Sequence, residues 1–455
     1  MLINFAVKNF RSFKESTSLS MVAGGFKRFP SHTAEVAGLN VLKSAFVFGA
    51  NASGKSNLIN AVAFLQAIVE GGVSRVSLDK NYFRITRKID DIGVFQIDYS
   101  ECGEIYSYGL AVSYSRAEIV GEWLALRGEG NKEIAVFTRE TSDDGKIVIK
   151  TDMQLQGKDE LRFEVYCDDF ANGGMQKMTF LADIARRAGE EVNDGMFFHI
   201  KQAREWFYRL IVIFPSSSYG GMIRYIKDTD MRISLSELLH HFDTGIERLV
   251  PIDIEADKVL STLNPQEREK TKASLIRRLT DGRHIGGMKY DFNDSTYLVN
   301  YKNGELTMKK LMANHGNRDE LFEREDESDG TQRLYDLLPL NRIFADDCVV
   351  LIDELDRSLH TQATLEFIKL FGKASAGHLS QLIATTHDHD VMSMERLRQD
   401  EIWFVERNDD HSSHVYSLSQ FKARFDKDVE KDYMLGKYGA VPLFRMIGTA
   451  GGAHD

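Results

Sequence analysis

The run Gly49-Ala50-Asn51-Ala52-Ser53-Gly54-Lys55-Ser56 is the first place in the chain where residue types and spacing point to chemistry. It fits GxxxxGK[ST] and stands where that pattern has physical meaning, between the apolar run 45–48 and a segment of helical period. Glycines let the backbone close around phosphate oxygens, while successive N–H groups and the following helix N-terminus supply positive potential. On this pattern Asn51, Ser53, Gly54, Lys55, Ser56 and Asn57 contact ATP. Lys55 reaches the β- and γ-phosphates and Ser56 ligates Mg²⁺. Before nucleotide arrives, Lys55 is expected to face solvent.

A second constellation is Val349-Val350-Leu351-Ile352-Asp353-Glu354. Four apolar residues predict a fully buried strand, and two acids at its C-terminal end stand where open α/β sheets place ligands. Asp353 is a Mg²⁺ ligand through water, and Glu354 the base that orients and deprotonates an attacking water. Further on, Ser328 and Gly330 of Glu327-Ser328-Asp329-Gly330-Thr331-Gln332 open a helix. They can bind a terminal phosphate through hydroxyl, N–H and helix dipole; the alternative is an ordinary capped helix start. A last strand runs into Thr385-Thr386-His387-Asp388, where His387 can hydrogen-bond a terminal phosphate. The run His387-Asp388-His389-Asp390 also admits a metal reading, but adjacent ligands cannot all face one ion from a strand end. His240, His241, His411 and His414 read as surface or capping residues.

The elements that must carry these residues follow from periodicity. Alternating runs at 2–7, 93–99, 105–112 and 147–151 predict strands. Leu58, Ile59, Val62, Leu65 and Ile68 share one face of a helix that starts at Lys55. Between 168 and 317 the period becomes helical, with Ser234 and Glu237 as a capping box before Leu235, Leu238, Leu239 and Phe242. A hairpin turning through Lys302-Asn303-Gly304 closes that region, and from 322 onward strands and helices alternate as a parallel sheet requires. The expected organisation is an N-terminal lobe at 1–165, a mostly helical insertion at 166–318, and a C-terminal lobe at 319–455.

Composition sets the class. In 455 residues, 43% hydrophobic and 27% charged with only 6 prolines, it is that of an ordinary globular protein. No stretch approaches the roughly 18 consecutive apolar residues of a membrane helix, and the N-terminus lacks a signal-peptide block, so the expected location is the cytoplasm, with no membrane partner. Cys102, Cys167 and Cys348 are far apart, which predicts free thiols and excludes a zinc ribbon. A net charge of −11 gives no average attraction to nucleic acid.

With four motifs in this order the chain resembles the ABC-type ATPases of the SMC, RecF and OLD branch. It is most similar to the bacterial antiphage-associated proteins of the RloA or AbiL type. The residues that carry the resemblance are Asn9-Phe10-Arg11-Ser12-Phe13, the 49–57 loop, Glu-Ser-Asp-Gly-Thr-Gln-Arg-Leu at 327–334, Ile-Asp-Glu-Leu-Asp-Arg-Ser-Leu-His at 352–360, Thr-Thr-His-Asp at 385–388 and the tail at 430–442. The resemblance implies an α/β fold, an ABC-type P-loop ATPase head with a parallel core sheet plus an antiparallel N-terminal sheet. It also implies a homodimer, or a higher even oligomer, in which Ser328 and Gly330 of one copy complete the Lys55 site of the other. His387 becomes the γ-phosphate sensor and Arg11 a nucleotide contact, the alternative for Arg11 being a strand-end arginine in solvent. Asp329 departs from the usual LSGGQ glycine, and His360 stands where that branch has an aspartate. Gln176 best fits the order of elements for the Q-loop.

Only about fifty residues follow Val405, too few for the Toprim nuclease of OLD proteins. The resemblance therefore implies a separate Toprim nuclease-like effector, controlled by an ATP-driven dimerising switch in antiphage defence. A RecF-like repair clamp on DNA and a scaffold that hardly turns ATP over are the competing readings. Arg268, Lys270, Lys272, Arg277, Arg278, Arg283 and His284 form a candidate phosphate-contacting patch for nucleic acid, against the alternative of a solvated helix face. The acidic run 319–329 would repel nucleic acid.

Overall fold

The computed structural model describes residues 1–85, 91–127, 132–187, 195–217, 221–280, 287–293, 295–317, 320–421 and 428–441. Arg283, His284, Asp319 and Pro442 lie outside the described residues. The chain divides into two compact units, the first formed by Met1–Pro215, Phe344–Leu355 and Ser375–Asp455, the second by Ser216–Ile343 and Asp356–Ala374.

Two sheets build the first unit. One is antiparallel, with β10 (Ile147–Lys150), β9 (Glu133–Thr141), β8 (Glu118–Arg127), β7 (Glu104–Ser113), β6 (Ile92–Glu101), β1 (Leu2–Lys8) and β2 (Thr17–Ser20) in that spatial order. The other runs β11 (Leu210–Ile213), β16 (Val349–Ile352), β17 (Gln381–Thr385), β5 (Ser44–Phe48), β18 (Ile402–Arg407) and β19 (Ser413–Ser417). Its first five strands are parallel and β19 is an antiparallel edge. A small ribbon pairs β3 (Thr33–Val36) with β4 (Leu39–Leu42). Strands β5, β16 and β17 are buried along their whole length, as their unbroken apolar runs require when both faces are covered.

The unit's helices are α1 (Lys55–Gly71), α2 (Lys158–Asn172), α3 (Phe180–Arg187), α4 (Gly195–Tyr208) and α12 (Val429–Met434). All five residues of the apolar stripe on α1 are buried. They share a core with Phe10 and Phe95, whose rings lie about Phe64 of α1 at 5.1 Å each. A buried ion pair braces the antiparallel layer. Arg139 on β9 donates to Glu122 on β8, which also accepts the Phe180 and Leu181 N–H groups at the start of α3. Burial raises the Glu122 carboxyl above its usual range and lowers the Arg139 guanidinium, against their mutual attraction.

In the second unit an antiparallel sheet in the order β12 (Arg248–Glu255), β15 (Glu305–Asn314), β14 (Ser295–Lys302), β13 (Met288–Phe292) packs with α5 (Ile223–Lys227), α6 (Thr229–His241), α7 (Ala256–Val259) and α8 (Pro265–Thr280). The rest of the unit is α9 (Asp329–Leu337), α10 (Leu340–Ile343) and α11 (Thr361–Ala374). The expected hairpin is β14–β15, with a two-residue turn in which Asn303 and Gly304 both have positive φ, 53° and 85°.

Three features differ from expectation. The segment 166–318 is helical in most of its regular structure, yet it also supplies β11 to the core sheet and the whole four-stranded sheet. The units divide at Pro215/Ser216 and Ile343/Phe344 rather than at 165 and 318, because α3, α4 and β11 join the first unit's core. A helical period reports that a face is buried, not which layer buries it. Finally, α6 begins at Thr229, capped by Asp228, which accepts from Met231 N; Ser234 is therefore interior and no box forms with Glu237.

Candidate nucleotide site

Strand register decides where the motifs meet. In the parallel sheet Val47 is level with Thr385, Ala384 with Ile352, and Ile352 with Ile213. The residues leaving the C-terminal ends of β5, β17, β16 and β11 therefore emerge along one edge: the 49–54 loop, His387, Asp353-Glu354 and Phe214. That is where parallel α/β sheets hold ligands.

The loop has the form a phosphate requires. A Cβ on Gly49 would strike the Val405 carbonyl, and one on Gly54, at φ 115°, would lie 2.6 Å from Ser413 Oγ and 2.7 Å from Ser12 Oγ. Gly54 is also the N-cap of α1 and brings no side-chain cap, so the first-turn N–H groups are left without one. Asn51 is exposed, whereas Ser53 is 3% exposed and its Oγ has no hydrogen-bond partner among the described residues. An uncapped helix N-terminus beside an unsatisfied buried hydroxyl fits an anion. Lys55 departs from expectation: it is only 5% exposed, and its ammonium donates to the Gly49 and Ala50 carbonyls at 2.7 and 3.2 Å. The loop's curvature turns these carbonyls inward within reach of the lysine. Ser56 and Asn57 are half-buried on the first turn of α1, and Asn57 Nδ2 donates to Ser12 Oγ at 2.9 Å.

Ser12 and Arg11 owe their place to the two phenylalanines around them. Phe10 and Phe13 are fully buried and paired through both backbone hydrogen bonds, so Arg11, at φ 50°, and Ser12 form the tip of a tight turn. Ser413 locks that tip to the loop: its N–H donates to Ser12 O and its hydroxyl to Ser53 O. Arg11 donates from Nε to Asn81 Oδ1 at 2.9 Å, and burial lowers its pKa. It lines a cavity of about 570 Å³ with Ser12, Asn57, Lys80, Tyr82 and Arg84 among its walls, a size suited to a small molecule (about 300–1,000 Å³).

On the acidic side, Asp353 is buried and Glu354 half-buried. Thr385 Oγ1 donates to Asp353 Oδ1 at 2.7 Å and accepts the Glu354 N–H at 2.8 Å, so one hydroxyl sets both acids. Glu354 has φ 51°, a left-handed backbone that costs a non-glycine residue about 1–2 kcal/mol and is found where function holds it. His387 is exposed at the end of β17, Asp388 caps the turn that follows, and the His389 ring packs edge-on against Tyr433 of α12. His387, Asp388 and His389 thus have separate surroundings. Gln176 is not at this edge. Its amide donates to Gly145 O, and the next residue, Lys177, bonds Val73 just beyond the C-terminus of α1. Lys55 starts the other end of that 17-residue helix, roughly 25 Å away.

In the second unit Ser328 is exposed and caps α9, its Oγ accepting from Thr331 N. A Cβ on Gly330 would lie 2.8 Å from Ser358 O, so this glycine permits a close backbone approach. Asp329 is exposed in the first turn of α9, where the helix dipole favours an acid. His360 caps α11's start through Nδ1, which accepts Gln362 N–H.

Residues 44–151 and 205–393 match the profile of a family described as "AAA domain, putative AbiEii toxin, Type IV TA system". The chain belongs to that family. Among solved structures, an SMC head bound to the C-terminal winged-helix domain of ScpA is similar at 16% identity and TM-score 0.39, over 91% of this chain and 97% of the other. The SMC head domain from Thermotoga maritima is similar at 12% identity and TM-score 0.38, over 91% and 98%. No curated protein matches.

Sequence reasoning missed three participants. Ser413 and the cavity wall at 77–85 have no motif of their own. Strand β11 was hidden within a region of helical period, although the run Leu-Ile-Val-Ile before Phe214-Pro215 carries a strand signal.

Proposed function

We propose that this AAA-family protein binds ATP with Mg²⁺ and hydrolyses it, using the cycle to pair and separate copies of itself. The observation that carries the reading is the common edge at which the 49–54 loop, Asp353-Glu354 and His387 emerge in register. Bound Mg²⁺ would neutralise charge on the β- and γ-phosphates. Ser56 and Asp353 would hold the ion, while the uncapped N-terminus of α1, Asn51, Ser53, Gly54 and Asn57 would receive phosphate oxygens. Lys55 turns its ammonium from the loop carbonyls to the phosphates. Glu354 takes the proton of the attacking water, with its direction set through Thr385, and His387 senses the terminal phosphate. The cavity beside Arg11 and Tyr82 receives the nucleoside end.

Ser328 and Gly330 of a second copy complete each site in a homodimer or higher even oligomer, supported by the exposure of Ser328 at a helix N-terminus. In the cytoplasm this switch controls a separate effector, a Toprim nuclease or toxin, in antiphage defence; the toxin–antitoxin wording of the family's description agrees with such a role. ATP biases the effector only as far as its affinity differs between paired and separated heads. The second reading, a RecF-like clamp on nucleic acid, rests on Lys270, Arg277 and Arg278, which are exposed on α8, while Arg268 and Lys272 are drawn to Asp257.

The test mixes two inactive variants, Lys55→Ala and Ser328→Arg. A heterodimer has one composite site free of both lesions, so ATPase activity returns on mixing. No recovery despite proven subunit exchange would eliminate shared sites. Purified protein with Mg²⁺ and ATP should leave DNA and RNA intact, and cleavage lost on mutating its own acids would refute the separate effector.

A further inference from the structure

The stretch that leads into Ser328 carries more acid than a loop needs, and the second unit consumes most of it internally. Phe322 pairs with Ala313 at the end of β15 through both backbone hydrogen bonds. Glu323 and Asp326 close a capping box around the turn 324–326. Lys310 on β15 is 3% exposed, and its ammonium donates to Ser295 Oγ on β14 at 2.7 Å, to Glu323 at 2.7 Å and to Glu325 at 3.4 Å. His315 meets Glu327 at 2.8 Å and stacks edge-on with Phe322. Beyond the turn, Arg324 bonds Asp336 on α9, and Gln332 Nε2 donates to the Glu327 carbonyl. Of the acids in this run, Glu323 and Glu325 are thus held by the single ammonium of Lys310, and Glu327 by the His315 ring.

A buried ammonium without compensation is strongly unfavourable, so a lysine placed on a strand with two carboxylates and a hydroxyl around it fixes their geometry. Three of the contacts, through Lys310, His315 and Ala313, tie the 322–327 turn to the β14–β15 hairpin; two others, through Arg324 and Gln332, tie it to α9. Ser328 follows immediately, with its own hydroxyl turned to Thr331.

We infer that Lys310 is a positioning residue for the Ser328 loop: it locks the 322–327 turn onto the four-stranded sheet and so sets where Ser328 and Gly330 are offered to a second copy's nucleotide. The inference rests on the shared-site reading above. Lys310 touches no nucleotide and acts only through Glu323, Glu325 and the turn. Its loss should therefore spare nucleotide binding at Lys55 and damage turnover.

The experiment compares Lys310→Met, Lys310→Arg and the double variant Glu323→Gln/Glu325→Gln, whose amide oxygens can still accept from Lys310 but supply no counter-charge, with urea unfolding of each read alongside activity. Fluorescent ATP-analogue affinity and kcat are measured on each, then mixing with Lys55→Ala and with Ser328→Arg. Expected is unchanged affinity, kcat lower by on the order of 10²-fold, as a misplacement near 1 Å produces, and partial rescue in Lys310→Arg. Lys310→Met should regain activity when mixed with Lys55→Ala and none with Ser328→Arg, because only the latter pair damages every composite site. A general folding defect would not give that split. If Lys55→Ala and Ser328→Arg complement each other while both Lys310→Met and the double glutamine variant keep wild-type kcat, the Lys310 assignment falls and the shared site stands. If Lys55→Ala and Ser328→Arg fail to complement, the shared site itself falls and Lys310 with it.

Discussion

Replacing Lys55 tests both the site and the unexpected burial of its lysine. Without nucleotide the ammonium donates to the Gly49 and Ala50 carbonyls at 2.7 and 3.2 Å. Hydrogen bonds from a charged donor contribute about 1.5–3 kcal/mol each. Desolvation of the buried ammonium offsets part of this, and water can replace the donor at a loop rim. Lys55→Met, which keeps the stem, should therefore cost about 1–3 kcal/mol. Lys55→Ala also loses three methylenes at about 0.8 kcal/mol each, so it should be roughly 2 kcal/mol less stable again. Urea unfolding without nucleotide reads these as a falling midpoint at constant slope. Adding ATP at one hundred times its Kd should stabilise the wild-type protein by about 2.7 kcal/mol and both variants by nothing. If the Met variant is stabilised by ATP as the wild type is, Lys55 is not a phosphate ligand. If both variants match the wild type without nucleotide, the loop carbonyls gain nothing from the lysine, and its buried position is incidental.

Substitutions at three further sites separate roles within the first unit. Glu354→Gln should keep ATP binding and lower turnover by about 10²–10⁴-fold, whereas Glu354→Gly, relieved of its left-handed strain, should unfold no more readily than wild type while equally inactive; wild-type turnover in the Gln variant would disqualify Glu354 as the base. Thr385→Val leaves the Glu354 N–H and one Asp353 oxygen without their shared hydroxyl, a loss of about 1–3 kcal/mol with slower turnover, and Thr385→Ser should restore both in the same assays. Arg139→Met strands the buried Glu122 carboxylate and should cost about 3–5 kcal/mol in urea unfolding, with part recovered in the Glu122→Gln/Arg139→Met pair; a neutral single variant would show that the ion pair does not brace α3.

What the sequence determined by itself is local. The 49–56 loop between an apolar strand and an amphipathic helix, the all-apolar approach to Asp353-Glu354, and the Asn303-Gly304 turn each depend on neighbours within a dozen residues, and all three hold their expected conformations. So does the alternation of the antiparallel strands, because one covered face imprints a period of two. Tertiary structure decided the rest. Strand β11 lies beside β16 although paired residues, Leu210 with Val349 through Ile213 with Ile352, stand 139 positions apart, and nothing in a window of sequence records a parallel partner. The burial of Lys55 depends on carbonyls turned inward by the loop's curvature, and the setting of Asp353 and Glu354 on a hydroxyl from the next strand. Ser234 had the pattern of a cap and lost to Asp228, since the helix continues wherever its next turn finds a surface to cover. The acids of 322–327 looked like free charge because Lys310 and His315, which contact three of them, stand on and just beyond a strand that only folding brings alongside. Residue type announced the chemistry; pairing between distant strands determined which side chains face it.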